Sequence, residues 1–289
     1  MSTKAAVFAR TALLVVLAAM IAASTGQAAT LEIFHADSLA GPMEQLKAVF
    51  AQANPGVTIA LTSGRSQELA ERILKGDRCD VFASSSPAAI EQDLMTKTPT
   101  GLGKAGASWS VVFSTNEMVV ITRRGNPLGI QRVSDMAKPG VRFVRVTGEK
   151  DLGTGRTIEF LKRAAAREGA PDLAQRLIDG AAVDPSKPNT VPDTVKAVIE
   201  GRADAGVVYY SAAVAASPNL EIVRFPADVN LSDTIRNAAT VPSTAASEQA
   251  ALAFVRFILS EEGRAILEKT GQPAIVPAIR KGNVPGELN

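Results

Sequence analysis

The sequence predicts an α/β protein built as two lobes with a cleft between them. Three observations lead there. From residue 31 onward, short apolar strands alternate with amphipathic helices, an order that implies a mostly parallel sheet covered by helices. One long extended run, residues 110–122, carries polar residues at its centre, as a segment leaving one lobe for another does. Strand ends also run repeatedly into helix starts, near Ser38, Ser66, Thr154 and Val191.

Residues 1–28 stand outside this pattern. Lys4 and Arg10 precede an apolar run, and Gly26 and Ala28 occupy the small-residue positions of a cleavage site. These are the parts of a secretory signal peptide. The apolar run is short for a membrane span, and no later stretch is long and apolar enough to cross one. The mature chain is therefore expected to be soluble and exported to a bacterial periplasm. Removal of Lys4 and Arg10 leaves 29 basic residues against 29 acidic ones. A neutral chain offers no electrostatic case for nucleic acid or an anionic membrane.

The first strand covers residues 31–36. A helix follows over 42–53, with Met43, Leu46, Val49 and Phe50 on one face, and Asn54-Pro55-Gly56 ends it. Residues 57–61 form a second strand. A turn at 62–66 enters a helix with Leu69, Ile73 and Leu74 apolar, closed by Gly76. Residues 80–83 form a buried third strand, followed by Ser84-Ser85-Ser86 and a helix through Met95. After the run at 110–122 a second α/β unit begins. It has a strand over 141–146, a turn at Gly153-Thr154-Gly155 and helices over 157–167 and 173–178. A further helix starts at Val191-Pro192, with proline at a first-turn position, and a strand covers 205–209. Residues 221–225 and 233–241 lead back to the first lobe, and helices over 246–259 and 261–269 complete it. The expected division is residues 29–115 plus 230–289 for lobe 1 and 116–229 for lobe 2, an insertion reached by two crossings. Such a pair of lobes can close on a ligand.

The helix starts suggest what that ligand is. A strand entering a helix N-terminus presents unpaired N–H groups and the positive end of a dipole, which suits an anion. A single serine there is ordinarily only a cap. The repetition at Ser38, Ser66, Thr154 and Val191 carries the reading that several turns converge on one small oxyanion. Val191 precedes Pro192, which has no N–H, so Val191 is the last free donor before its helix. With one histidine, His35, and one cysteine, Cys79, a conventional zinc site is not expected. An aromatic content of 4% speaks against a sugar- or base-stacking site.

Together these pieces resemble the periplasmic molybdate/tungstate-binding proteins that feed ABC importers. The resemblance spans nearly all of the mature chain. It is carried by His35-Ala36-Asp37-Ser38-Leu39, Ser66-Gln67-Glu68-Leu69-Ala70, Asp80-Val81-Phe82-Ala83-Ser84 and Ser114-Thr115-Asn116-Glu117-Met118-Val119, followed by Asp151-Leu152-Gly153-Thr154-Gly155-Arg156, Gly206-Val207-Val208-Tyr209 and Val229-Asn230-Leu231-Ser232-Asp233. It implies a type II periplasmic-binding-protein fold, a membrane permease as partner, a monomer, and no cofactor beyond the transported ion. It also implies a ligand set of Ser38, Ser66, Thr154, Val191 and Tyr209. Such neutral donors suit a fully deprotonated dianion, whose oxygens only accept, and no lysine or arginine is then needed. Some tungstate-binding relatives add two carboxylates to the metal. Asp151 stands at the first of those positions and Tyr209 at the second, so tetrahedral, hydrogen-bonded binding is expected and Asp151 is a metal ligand only in a six-coordinate complex. Asp37, beside the site, is expected to point outward.

Several other readings compete with this one. Ferric iron could bind the adjacent pair Tyr209-Tyr210 with His35 and Asp37, although Tyr210 would ordinarily pack on the opposite strand face. Sulfate, phosphate or an organic acid would use the same donors, with Asp151 able to accept the proton of hydrogen phosphate. A serine hydrolase would need a base, and the chain has no G-x-S-x-G elbow. His35 reads as a hydrogen-bonded strand residue, Arg156 as a cation stabilising its lobe, and Cys79 as a small buried residue without a redox task.

Overall fold

The computed structural model describes residues 29–149 and 151–288; the signal-peptide reading of residues 1–28 lies outside them. Two sheets organise the chain. The first holds β1 (Ala29–Ala36), β2 (Val57–Gly64), β3 (Val81–Ser84) and β4 (Trp109–Ser114). The second holds β5 (Met118–Arg123), β6 (Phe143–Arg145), β7 (Ala205–Tyr209) and β8 (Leu220–Val223). The chain then returns to the first sheet with β9 (Asn237–Thr240) and β10 (Ala274–Gly282). The strand orders are β10-β4-β9-β3-β1-β2 and β6-β7-β5-β8.

The pairing directions show where a ligand can sit. β1 runs parallel to β2 and to β3, and β6 runs parallel to β7. β9 is antiparallel to both β3 and β4, and β5 is antiparallel to both β7 and β8. In each sheet, therefore, a strand arriving from the other lobe is inserted against its neighbours. The expectation of mostly parallel sheets is corrected to this extent: strands share one direction except the two arrivals and the terminal β10, which is antiparallel to β4. With this topology the carboxyl ends of β1–β4 and of β6–β8 face the crossings, which is where open α/β sheets bind ligands.

The run at 110–122 is two strands. Residues 115–117 break it because their polar groups are used in hydrogen bonds around the two crossings. The Thr115 hydroxyl contacts the carbonyls of Ser232 and Ile235 at 3.0 and 2.9 Å. Asn116 Nδ2 donates to Ser211 Oγ at 2.8 Å, and the Glu117 carboxylate accepts from Asn230 Nδ2 and Arg224 Nε. β10 is a strand the sequence pattern hides. Pro277 removes a ladder donor, the register slips between Ala274 and Ile279, and Val276 and Ile279 stay exposed. An edge strand tolerates this.

Each lobe has its own core. In the first, the Ala40–Ala53 helix lays Met43, Leu46 and Phe50 on the sheet, and the Phe50 ring meets that of Phe254 edge-on at 5.1 Å. In the second, the Leu152–Arg167 helix buries Phe160, Leu161, Ala164 and Ala165, positions that share one face at helical spacing. With the apolar side chains gathered in these cores, polar contacts are left in the cleft between the lobes.

Candidate functional site

The strand ends and helix starts meet around a small cavity of about 30 Å³ between the lobes. From the first lobe, β1 leads into the single 3₁₀ turn Asp37–Leu39, which carries Ser38. β2 leads to Ser66, the first residue of the Ser66–Leu74 helix. β3 ends at Ser84, next to Ser85. From the second lobe, β6 leads towards Asp151, Leu152 and Gly153. The Val191–Ile199 helix begins at Val191, and β7 ends at Tyr209. All these residues except Ser84 line the cavity.

Ser38 is the most informative. It is buried, and its hydroxyl has no hydrogen-bond partner among the described residues. Its carbonyl is held by Ser211 Oγ at 2.5 Å and Gln272 Nε2 at 3.1 Å. The backbone is thus fixed while the hydroxyl faces the cavity unpaired. Leaving a buried hydroxyl unsatisfied costs roughly 1–3 kcal/mol, so such a group needs an explanation. Ser66 Oγ accepts from Ser85 N at 3.1 Å and lies 3.2 Å from Ser85 Oγ. Ser85 belongs to the site although the sequence pattern places it in a loop. The available signal was its place just after a strand end, the same place that singled out Ser38.

Across the cavity, Asp151 is the N-cap of the Leu152–Arg167 helix. Its Oδ2 accepts from Thr154 N at 2.9 Å and Thr154 Oγ1 at 3.0 Å. Both donors of Thr154 are therefore spent on Asp151, and Thr154 does not line the cavity. Leu152 and Gly153 do. A Cβ on Gly153 would come within 3.1 Å of Val146 Cγ1 and of the Asp151 carboxylate, so a larger residue would press on the capping side chain. Val191 follows Thr190, which forms a capping box with Asp193, so the side chains there satisfy other groups. The first N–H groups of that helix have no intrahelical partner.

Tyr209 is buried, and its hydroxyl accepts from Arg156 Nη1 at 3.0 Å. Burial pushes the phenol above its ordinary pKa and the Arg156 charge offsets part of that rise. The group is therefore protonated at neutral pH. Arg156 Nη2 also donates to the Ser85 carbonyl at 2.7 Å, joining the two lobes.

One arginine is also at the site. Arg65 lines it, donates to Glu68 at 3.1 Å, and has Nε 3.9 Å from Asp151 Oδ1. It reaches over the cleft from the first lobe, and nothing in its own turn, where the serines carry the helix-start signal, marks it as a site residue. Asp37 also lines the cavity, and its Oδ1 accepts from Ser63 Oγ at 2.6 Å on the exposed side.

The remaining sequence candidates lie elsewhere. Tyr210 begins the Tyr210–Ala216 helix, not a strand face, with the Arg224 guanidinium 4.6 Å over its ring. His35 Nδ1 is 3.0 Å from the Ala36 carbonyl, and burial holds its pKa below the ordinary value. Cys79 is buried, its thiol donating to the Val81 carbonyl at 3.2 Å. Among the described residues no group of three or more His, Cys, Asp or Glu side chains is placed to hold a metal ion. Tyr209 and Tyr210 do not converge on one point of the cavity.

Two sheets of this topology, with hydroxyls and helix N-termini converging in a cleft, define a solute-binding protein of the type II periplasmic fold. The chain belongs to the bacterial extracellular solute-binding protein family, which it matches over residues 31–272. It is 30% identical to the molybdate-binding protein ModA of Mycobacterium tuberculosis H37Rv, over 86% of this chain and 87% of that one. Among solved structures it resembles the periplasmic molybdate-binding protein of Azotobacter vinelandii, with a TM-score of 0.66 and 20% identity over 86% of this chain and 99% of that one. The sulfate-binding protein SubI of M. tuberculosis H37Rv superposes with a TM-score of 0.64 and 15% identity over 86% of this chain and 88% of that one.

Proposed function

We propose that this protein captures a tetrahedral metal oxyanion, molybdate or tungstate, in the cleft and delivers it to the permease of an ABC importer. The carrying observation is the buried Ser38 hydroxyl, without a hydrogen-bond partner among the described residues, lining a cavity whose walls include the helix starts at Ser66, Leu152 and Val191. Ser38, Ser66, Tyr209 and the N–H groups at Val191 and Gly153 are the donors in this reading, and Gly153 replaces Thr154. Asp151 caps a helix and orients its N-terminus. The curated relative named for molybdate supports the choice of ion.

The mature protein begins after residue 28, works in the periplasm as a monomer and is not an enzyme. Residues 29–115 with 230–289 move as one body and 116–229 as the other, hinged at the crossings. Among the described residues His35, the sole histidine, is turned to a backbone carbonyl and does not line the cavity, so the hydroxyls there lack an imidazole base.

Calorimetry of the mature protein against molybdate, tungstate, sulfate, phosphate and ferric citrate tests the proposal. Tight binding of molybdate or tungstate, with sulfate weaker, is the expected result. A ligand bound only to the native state also raises the melting temperature by mass action. Binding of phosphate alone, or of iron alone, would overturn the proposal. Sulfate is the second reading, favoured by the structural likeness to a sulfate-binding protein; it predicts that sulfate binds more tightly than molybdate.

A further inference from the structure

Arg156 does not line the cavity, yet its guanidinium touches both lobes. Nη1 donates to the Tyr209 hydroxyl at 3.0 Å and Nη2 to the Ser85 carbonyl at 2.7 Å. A guanidinium has donors only. The Tyr209 oxygen must therefore accept from it, and the single phenolic proton must point elsewhere. Tyr209 is buried and lines the cavity, so the cavity is the direction left for that proton. Ser85, the other partner, donates its own N–H to Ser66 Oγ at 3.1 Å. One cation thus connects a donor of the second lobe with a pair of serines of the first.

We propose that Arg156 is a positioning residue that makes Tyr209 an obligate donor to the bound oxyanion and couples that orientation to closure of the cleft through Ser85. Parting the lobes breaks the bond to Ser85 and frees the guanidinium to leave Tyr209. The phenol can then turn its proton away from the cavity. Closure and ligand donation are in this way linked by the same side chain. This inference rests on the oxyanion reading above and assigns a role within that site.

Two measurements test it. Molybdate affinity and release rate are measured for Arg156→Gln, Arg156→Lys, Tyr209→Phe and the double variant Arg156→Gln/Tyr209→Phe. Arg156→Gln should weaken binding by about ten- to a hundredfold, mainly through faster release. Lysine has no fork and can serve only one of the two partners well, so Arg156→Lys should fall between wild type and Arg156→Gln. The double variant should be weaker than the worse single variant by no more than about threefold, because both changes remove one coupled contact. Losses that multiply, or wild-type binding by Arg156→Gln, would overturn the proposal.

The second measurement uses no ligand. The chain has two tyrosines, so in a Tyr210→Phe background the ultraviolet phenol titration reports Tyr209 alone. Removing the neighbouring cation should raise that midpoint by about half a pH unit or more. An unchanged midpoint would refute the contact. If wild type binds no oxyanion the functional proposal fails, while the titration still decides whether Arg156 acts on Tyr209.

Discussion

Asp151 separates two ways of holding the ion, and the substitution that does so is Asp151→Asn. The Asp151 carboxylate accepts two hydrogen bonds from Thr154, at 2.9 and 3.0 Å, and caps the helix whose first residues line the cavity. Asparagine caps about as well as aspartate, so stability should change by no more than about 0.5 kcal/mol. What disappears is a negative charge beside a dianion. Affinity for molybdate and tungstate should hold within about threefold or improve. Asp151→Ala removes the cap as well, at about 1–2 kcal/mol. For a chain of this size that lowers the melting temperature by roughly 2–8 °C, with a modest loss of affinity because the donors at Gly153 are less well held. Calorimetry with tungstate and thermal melts of both variants supply the readings. A loss beyond about a thousandfold in Asp151→Asn, roughly 4 kcal/mol, would refute the capping role and make Asp151 a ligand to a six-coordinate metal.

Tyr209→Phe should cost about ten- to two-hundredfold in oxyanion affinity, the value of one hydrogen bond to a charged partner, while Tyr210→Phe should cost little; a coloured iron complex lost equally in both variants would contradict this. His35 is held neutral by burial, whereas an unfolded histidine takes a proton below about pH 6.5. The stability present above that pH should therefore fall as the pH drops from 7 to 5, by up to about 1.4 kcal/mol per unit, and tag-free His35→Gln should lose that slope in thermal melts; identical slopes would show that His35 does not titrate so. The hydrogen bond from Arg142 holds the Asp204 carboxyl below its ordinary pKa, with contacts of 2.9 and 3.0 Å. Its contribution is present above about pH 4 and is lost as the pH falls through the lowered native value, so Asp204→Asn should be less stable by about 1–3 kcal/mol at neutral pH and lose less on acidification, as denaturant melts at pH 3 and pH 7 would record.

The fold was legible wherever one period dominated. β1, β2 and β3 alternate with helices whose apolar faces repeat at helical spacing, and those elements stand close to their expected places. The failures have local causes. Gly153 and Gly155 argued for a turn ahead of a helix at residue 157, but the Asp151 cap and the packing of Gly153 against Val146 start the helix at Leu152. Hydrophobic periodicity cannot report a cap that overrides two glycines. The run at 110–122 looked continuous because residues on both sides of its break are equally apolar and buried. What breaks it is a set of bonds to residues more than a hundred positions away. β10 carries a proline and exposed side chains, and only the free edge of β4 makes it a strand.

The site was legible to the extent that helix starts advertise themselves. Serine after a strand, or proline at the head of a helix, marks a candidate donor without knowledge of the fold, and Ser38, Ser66 and Val191 do line one cavity, beside Tyr209, which only the family resemblance implied. The same pattern does not bring Thr154 to the cavity, because a cap consumes donors near a helix start and Asp151 takes both of its groups. Arg65, Ser85 and Arg156 depend on the opposite lobe for their meaning. Arg65 reaches towards Asp151 and Arg156 towards Ser85, so two cations span the cleft in opposite directions. Neither contact leaves a trace in local pattern, since each partner is ordinary in its own segment. In this two-lobed fold the hydroxyls and N–H groups that line the cavity belong to strand ends and helix starts, which can be read from sequence, whereas the contacts across the cleft exist only once the lobes meet.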